Sequence, residues 1–331
     1  MNLLFFSFLL LVPGELAPVN QTATPYLLGN DRDDGPIFPL SAVSQIVLNG
    51  NRLYIRSARD AQIAVLSLEG KVLDVIGRDG EGPGEFTYGV WSMGVDGRNL
   101  WALGHTRRTK LQYFLDHQYQ TVVSVGKGGN PGISMSANGL AVHDGQVVVP
   151  VWPKTGFIAA AYQRDGSRKL FGELLFTGED ADVVSQVPGV NDTMWRFHDG
   201  FYYCLFKYQP IVRKYDTSFR LVKNYVWTTA VLEEKMHKIF NPEGESHKKP
   251  EILFTDFKVW GDKIYVMGQG WLHRVNQATG ELDQVLSFTI ERGEKKWRHH
   301  FHCFELLSPT QVILGHFFGD PVWLWKATIP K

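Results

Sequence analysis

The chain has 331 residues, 34 Lys plus Arg against 34 Asp plus Glu, and 13% aromatic residues. Balanced charge leaves no global field to draw it to nucleic acid or to an anionic membrane surface, so neither is expected as a partner. Length alone suggests two domains, but closed all-β architectures often use this length as one unit, and an internal repeat decides for one.

Residues 1–12 are apolar apart from Asn2 and Ser7, and the run ends at Pro13-Gly14. That length suits the core of a signal peptide and is too short to span a bilayer. Residues 1–17 are therefore read as a signal peptide, although no Lys or Arg precedes the run; the competing reading is a buried N-terminal strand. The expected location is secreted or periplasmic, with no membrane insertion once the signal is removed. Asn20-Gln21-Thr22 and Asn191-Asp192-Thr193 match the glycosylation acceptor pattern, a triplet that also arises by chance.

From residue 18 to 331 one unit recurs. A turn carrying Gly, Asn or Asp precedes an apolar run at Gly50, Gly97, Gly145, Gly200 and Gly261, with Ser308-Pro309-Thr310 in the sixth place; the intervals are 47, 48, 55, 61 and about 48 residues. Four short strands in a period of this size form a propeller blade, because one small sheet cannot bury both faces alone and must stack on its neighbours. The predicted strands are 43–48, 53–56, 62–68 and 72–76 in blade one, then 90–95, 100–103, 110–114 and 121–125 in blade two. Blade three takes 140–143, 147–151, 157–162 and 170–176, and blade four 194–198, 201–206, 211–215 and 221–227. Blade five takes 254–259, 264–267, 272–276 and 282–288. Blade six offers only 303–307, 312–315 and 322–327 before the chain stops. Its missing outer strand is expected from residues 24–28, which would close the ring and hide its open edges. The fold class is thus all-β, a six-bladed β-propeller whose last blade is closed by an N-terminal strand.

Cys204 and Cys303 fall in blades that are not neighbours, so they are expected as two buried thiols and not as a bond. One segment breaks the strand rhythm. Between residues 228 and 250, Val231, Leu232, Met236, Ile239 and Phe240 fall near helical spacing with charged residues between them, which predicts a partly helical insertion acting as a partial lid. Deletion of residues 233–249 is expected to alter ligand binding and to leave the fold nearly as stable. The links 177–191 and 291–300 are also long and are expected on the same face as the loops between second and third strands.

Gly77-Arg78-Asp79-Gly80-Glu81-Gly82-Pro83-Gly84-Glu85-Phe86, followed by Val95-Asp96-Gly97-Arg98-Asn99-Leu100-Trp101, resembles the glycine-rich linker and strand pair of NHL-type repeats. The chain is similar to the six-bladed β-propeller proteins secreted by many bacteria, most clearly over residues 43–104. Arg56-Ser57 stands where many such repeats carry an Asp. The resemblance implies a propeller and an exported binding protein, but no single activity. The glycine-rich linker also admits a phosphate-binding reading, yet it precedes a strand and lacks a helix dipole, so a structural turn is expected.

Equivalent exit positions of the six second strands are Ala58, His105, Trp152, Lys207, Gln269 and Phe317, closely followed by Arg107, Arg108, Lys154, Tyr208, Trp271, His316 and Asp320. Flat rings stack on sugar or aromatic faces, and Arg or Lys neutralise carboxylates or phosphates. His105, Arg107, Trp152, Lys154, Lys207, Gln269, Trp271 and His316 are therefore the candidate ligand-binding residues, for a small polar or anionic ligand, a glycan or a protein partner; the bland alternative is that exposed loops carry such residues anyway. His299, His300, His302 and His316 lack a companion carboxylate, so no metal site is assigned and no cofactor is implied. His143 and His198 stand before Asp-Gly turns, which favours capping. No nucleophile elbow or zinc-protease motif occurs, and catalytic residues are left unassigned. The alternative function is a metal-assisted hydrolase or lyase with a central-channel site, and a third is a scaffold within a surface assembly.

Overall fold

The computed structural model describes residues 16–28, 42–57, 60–105, 109–125, 139–152, 156–175, 189–240, 252–268, 270–292, 295–298, 301–315 and 323–330. After β1 (Val19–Leu28) come β2 (Gln45–Asn49), β3 (Arg52–Arg56), β4 (Ile63–Ser67) and β5 (Val72–Ile76), which form blade 1. Blade 2 is β6 (Val90–Asp96), β7 (Asn99–His105), β8 (Thr109–Leu115) and β9 (Gln118–Ser124); blade 3 is β10 (Ala141–His143), β11 (Gln146–Pro150), β12 (Phe157–Tyr162) and β13 (Arg168–Glu173). Blade 4 is β14 (Thr193–His198), β15 (Phe201–Phe206), β16 (Ile211–Tyr215) and β17 (Leu221–Val226), followed by helix α1 (Ala230–Phe240). Blade 5 is β18 (Asp256–Trp260), β19 (Lys263–Gly268), β20 (Trp271–Asn276) and β21 (Leu282–Arg292), with β22 (Lys295–Arg298) paired to the end of β21. Blade 6 is β23 (Cys303–Ser308), β24 (Gln311–Gly315) and β25 (Trp323–Thr328), completed by β1. The protein is a six-bladed β-propeller.

The core explains why the strands read as nearly unbroken apolar runs. Among the described residues it consists of six clusters, each at the seam between two neighbouring blades. Successive residues of a strand point to opposite faces, so a blade sandwiched on both sides must be apolar at every position. In β3, Leu53 and Ile55 enter the seam with blade 6 while Tyr54 enters the seam with blade 2. In β15, Tyr203 and Leu205 face blade 5, whereas Tyr202, Cys204 and Phe206 face blade 3. Each buried aliphatic side chain contributes about 1.5–3 kcal/mol. The inner hairpins turn tightly: Asp144 and Gly145 have φ of 48° and 73°, and Asp199 and Gly200 have 46° and 78°, the left-handed pair that an Asp-Gly turn accommodates.

Closure follows the expected route and goes further. Residues Thr24 to Leu28 pair antiparallel with Lys326 to Trp323, supplying the fourth strand of blade 6. Upstream, Val19 to Ala23 pair in parallel with Leu286 to Ile290 on the outer strand of blade 5, so one strand sews two blades into a single nine-stranded sheet. Its pairing slips between Pro25 and Leu27, beside a residue that has no N–H to donate. Asn20 accepts hydrogen bonds from Ser287 Oγ at 3.2 Å and Thr289 Oγ1 at 2.8 Å, and Asn191 is buried and bonded to Leu175 N at 2.8 Å. Both triplet asparagines are thus tied into the fold.

Helix α1 corrects the detachable-lid reading. Thr229 caps it by accepting from Leu232 N at 3.1 Å. Leu232 (4% exposed) and Ile239 (9%) are buried in the blade 4–5 core with Trp227 and Phe254, and Met236 packs against them. An amphipathic stripe of this kind is a piece of the seam, and its removal costs stability. Residues 241–250 lie outside the described residues. The two cysteines are free and buried, as their blades require.

Candidate binding site along the central channel

The innermost strands β2, β6, β10, β14, β18 and β23 surround the axis, and their hairpin registers define which residues share a level. At the middle level stand Val47, Gly94, Ala141, Arg196, Lys258 and Glu305, and all six line a cavity of about 220 Å³. The cavity extends from this level toward the inner hairpin turns, reaching His198 and Trp260. Blades 1 to 3 present small or apolar side chains to it apart from Gln45, and the charges Arg196, Lys258 and Glu305 come from blades 4 to 6.

The charged side is a continuous network. Arg196 pairs with Asp256 at 2.5 Å, and Lys258 pairs with Glu305 at 2.8 Å and donates to Ile46 O at 2.7 Å. Leu48 N donates to Glu305 at 3.0 Å and Phe304 N to Asp256 at 3.1 Å. On the neutral side, Met93 N donates to Gln45 Oε1 at 3.0 Å, Gly139 N to Ser92 Oγ at 2.7 Å and Trp195 N to Gly139 O at 3.3 Å. Together these bonds link every blade to the next around the axis. Arg56, fully buried behind Gln45, donates Nε to Gln45 Oε1 at 2.9 Å and a second nitrogen to Val90 O at 3.0 Å; burial lowers its guanidinium to about 9.

Toward the opposite, loop-bearing face lie those sequence candidates that fall within the described residues. Lys207 is only 2% exposed, its carbonyl accepts from Leu253 N and Phe254 N at 3.1 Å, and its own N–H donates to Asp192 O at 2.9 Å. Burial pushes its ammonium down to about 8, against the pull of the Asp192 carboxylate. Trp152, just past β11 of blade 3, is 38% exposed, and Trp271 opens β20 half-buried. The register is the one expected: Ser92 faces Leu103 and Met194 faces Leu205, and His105 and Lys207 each follow by two residues. His105 is placed by its backbone alone, and Arg107, Lys154, Gln269 and His316 lie outside the described residues.

Other expectations resolve on geometry. The glycine-rich linker does cradle an anion, and that anion is the chain's own Glu85, which accepts from Gly82 N at 2.7 Å and from Arg78 Nε at 2.8 Å. A Cβ at Gly80 or Gly82 would collide with that carboxylate, and Phe86 plugs the loop into the blade 1–2 seam. The linker is a structural turn. His143 stacks on Phe197 at 3.8 Å beside its turn. Among the described residues no group of three or more His, Cys, Asp or Glu side chains is placed to hold a metal, and His299, His300 and His316 lie outside them. The channel set itself escaped sequence reasoning, although a signal was present: a charged residue flanked by aromatic or aliphatic neighbours, three places before the inner turn, occurs at Arg196 and Lys258.

A family model described as a 6-bladed beta-propeller matches residues 36–124, the first two blades. No curated protein matches the chain. Among solved structures, it is similar to a Bacteroides fragilis protein described as exported, with TM-score 0.58 and 11% identity, covering 96% of this chain and 98% of that one. A Bacteroides thetaiotaomicron protein of unknown function gives TM-score 0.55 at 9% identity, covering 93% and 76%. A streptogramin B lyase gives TM-score 0.52 at 9% identity, covering 93% and 97%. At such identities the likeness concerns the fold. Among the described residues no helix is long and apolar enough to cross a membrane.

Proposed function

We propose that the protein is an exported binding protein that captures a polar or anionic ligand, glycan or protein partner on its loop-bearing face, with Lys207 and Trp152 as anchors. The observation that carries this reading is Lys207: an ammonium held 2% exposed, with its affinity for protons lowered to about 8, on a ring position that points to the loops. Burying a lysine costs free energy that packing alone does not require, and perturbed groups of this kind collect at functional sites. Trp152 on the adjacent blade supplies the exposed flat surface on which sugar rings stack. Export is supported by the apolar leader and by the fold shared with a protein described as exported.

The test is a thermal-shift screen of acidic oligosaccharides, neutral oligosaccharides and phosphorylated small molecules against the wild type, Lys207→Met and Trp152→Ala. A compound that stabilises the wild type by several degrees and loses that effect in both variants supports the proposal. Stabilisation that survives both substitutions sinks it.

A further inference from the structure

On the channel floor every carboxylate oxygen already has a donor, while the cations keep capacity to spare. Glu305 Oε1 accepts from Leu306 N at 3.0 Å, and Oε2 accepts from Leu48 N at 3.0 Å and Lys258 Nζ at 2.8 Å. Asp256 Oδ1 accepts from Phe257 N at 2.8 Å and Arg196 at 2.5 Å, and Oδ2 from Phe304 N at 3.1 Å. Arg196 donates its two terminal nitrogens to Trp195 O and Asp256, which leaves its Nε–H buried and without a partner. A guanidinium offers five donors and an ammonium three, so the unfilled valence of this cavity belongs to donors. The group that completes it is an acceptor, not a cation. Across the cavity Val47, Gly94 and Ala141 bring no polar side chain, and the Gln45 amide beside them is already engaged by Met93 and Arg56, which calls for a hydrocarbon portion on that side. At about 220 Å³ the space is smaller than the roughly 300–1,000 Å³ of pockets that take drug-sized molecules.

We infer that the channel floor binds a short-chain organic carboxylate, its head on Arg196 and Lys258 and its tail against Val47, Gly94 and Ala141. The site lies on the inner-turn side of the axis, apart from Lys207, and stands independently of the loop-face reading. Ligand-observed NMR titration of the intact protein with sodium butyrate tests it, with sodium chloride, sodium sulfate and butylammonium chloride at matched ionic strength. Butyrate alone should bind saturably. Ala141→Leu, which fills the apolar side and leaves all charges in place, should weaken it at least tenfold, as should Arg196→Gln; Lys207→Met should leave it unchanged. No saturable butyrate binding by the wild type, equal binding by butylammonium, or butyrate affinity untouched by Ala141→Leu would overturn the inference.

Discussion

The two halves of the channel solve the same problem with different chemistry. Around the axis blades 1 to 3 meet through main chain and the neutral side chains Gln45 and Ser92, with Arg56 set behind Gln45, and Gly94 allows its strand to lie against Leu140 and Val142 of the next blade. Blades 4 to 6 stand behind long charged side chains that reach across: Lys258 of blade 5 bonds both Glu305 of blade 6 and the Ile46 carbonyl of blade 1. The charges gather where the last blade must meet the first. Buried ion pairs add little net stability, and we expect their role here to be selecting which blade edges join. Whether that division of labour is real can be tested by breaking each half separately.

The largest effect is expected from Glu305→Ala. It strands the buried Lys258 ammonium and the Leu48 N–H, and removing one partner of a buried pair costs about 3–5 kcal/mol. The double variant Lys258→Met/Glu305→Leu removes both charges and should recover most of that loss in urea melts. A single variant no worse than the double would mean that the pair is effectively solvated. Next comes acid. His273, buried in blade 5, accepts from Trp227 Nε1 of blade 4 at 3.1 Å, and burial lowers its imidazole to about 4. A depressed base contributes stability that is fully present above its unfolded value near 6.5 and is lost as pH falls toward 4, here up to about 3 kcal/mol. Wild-type protein should therefore lose stability between pH 6.5 and 4.5, and His273→Gln should flatten that slope. An unchanged slope would place the acid sensitivity elsewhere.

Much of this architecture was legible because propeller strands obey a local rule. Period-two burial on both faces makes Val147-Val148-Val149 or Tyr202 to Phe206 unmistakable as sandwiched strands, and the turn glycines set the repeat. The closing strand was readable because blade 6 is one strand short. Its parallel pairing with blade 5 was not, since Val19 to Ala23 carry no local mark of a second partner and the contact spans the whole chain. The β21–β22 hairpin was missed for a related reason: Lys295 to Arg298 is too polar to announce a strand, and its pairing with Thr289 to Arg292 is main-chain work. Of the site, the ring register of Lys207 was legible from turn spacing. Its burial was not, because that depends on Leu253 and Phe254 folding back over its carbonyl. The channel charges Arg196, Lys258 and Glu305 were not legible, because only the strand registers put them on one level.

The neutral half should respond less, and to size instead of charge. A Cβ built at Gly94 meets Val142 Cγ2 at 2.6 Å and Leu140 O at 2.7 Å, one of them a main-chain atom that cannot swing aside. Gly94→Ala must therefore push blade 3 outward, against the packing of Leu140, Val142 and Val147 in the blade 2–3 seam. Overpacking of this kind costs about 1–3 kcal/mol. Because no charge is exposed or stranded, the loss should be the same at pH 7 and pH 5 once the His273 slope is subtracted. A loss that instead grew with acid would tie this half to the ionic network across the axis, and the two halves would then be one mechanism.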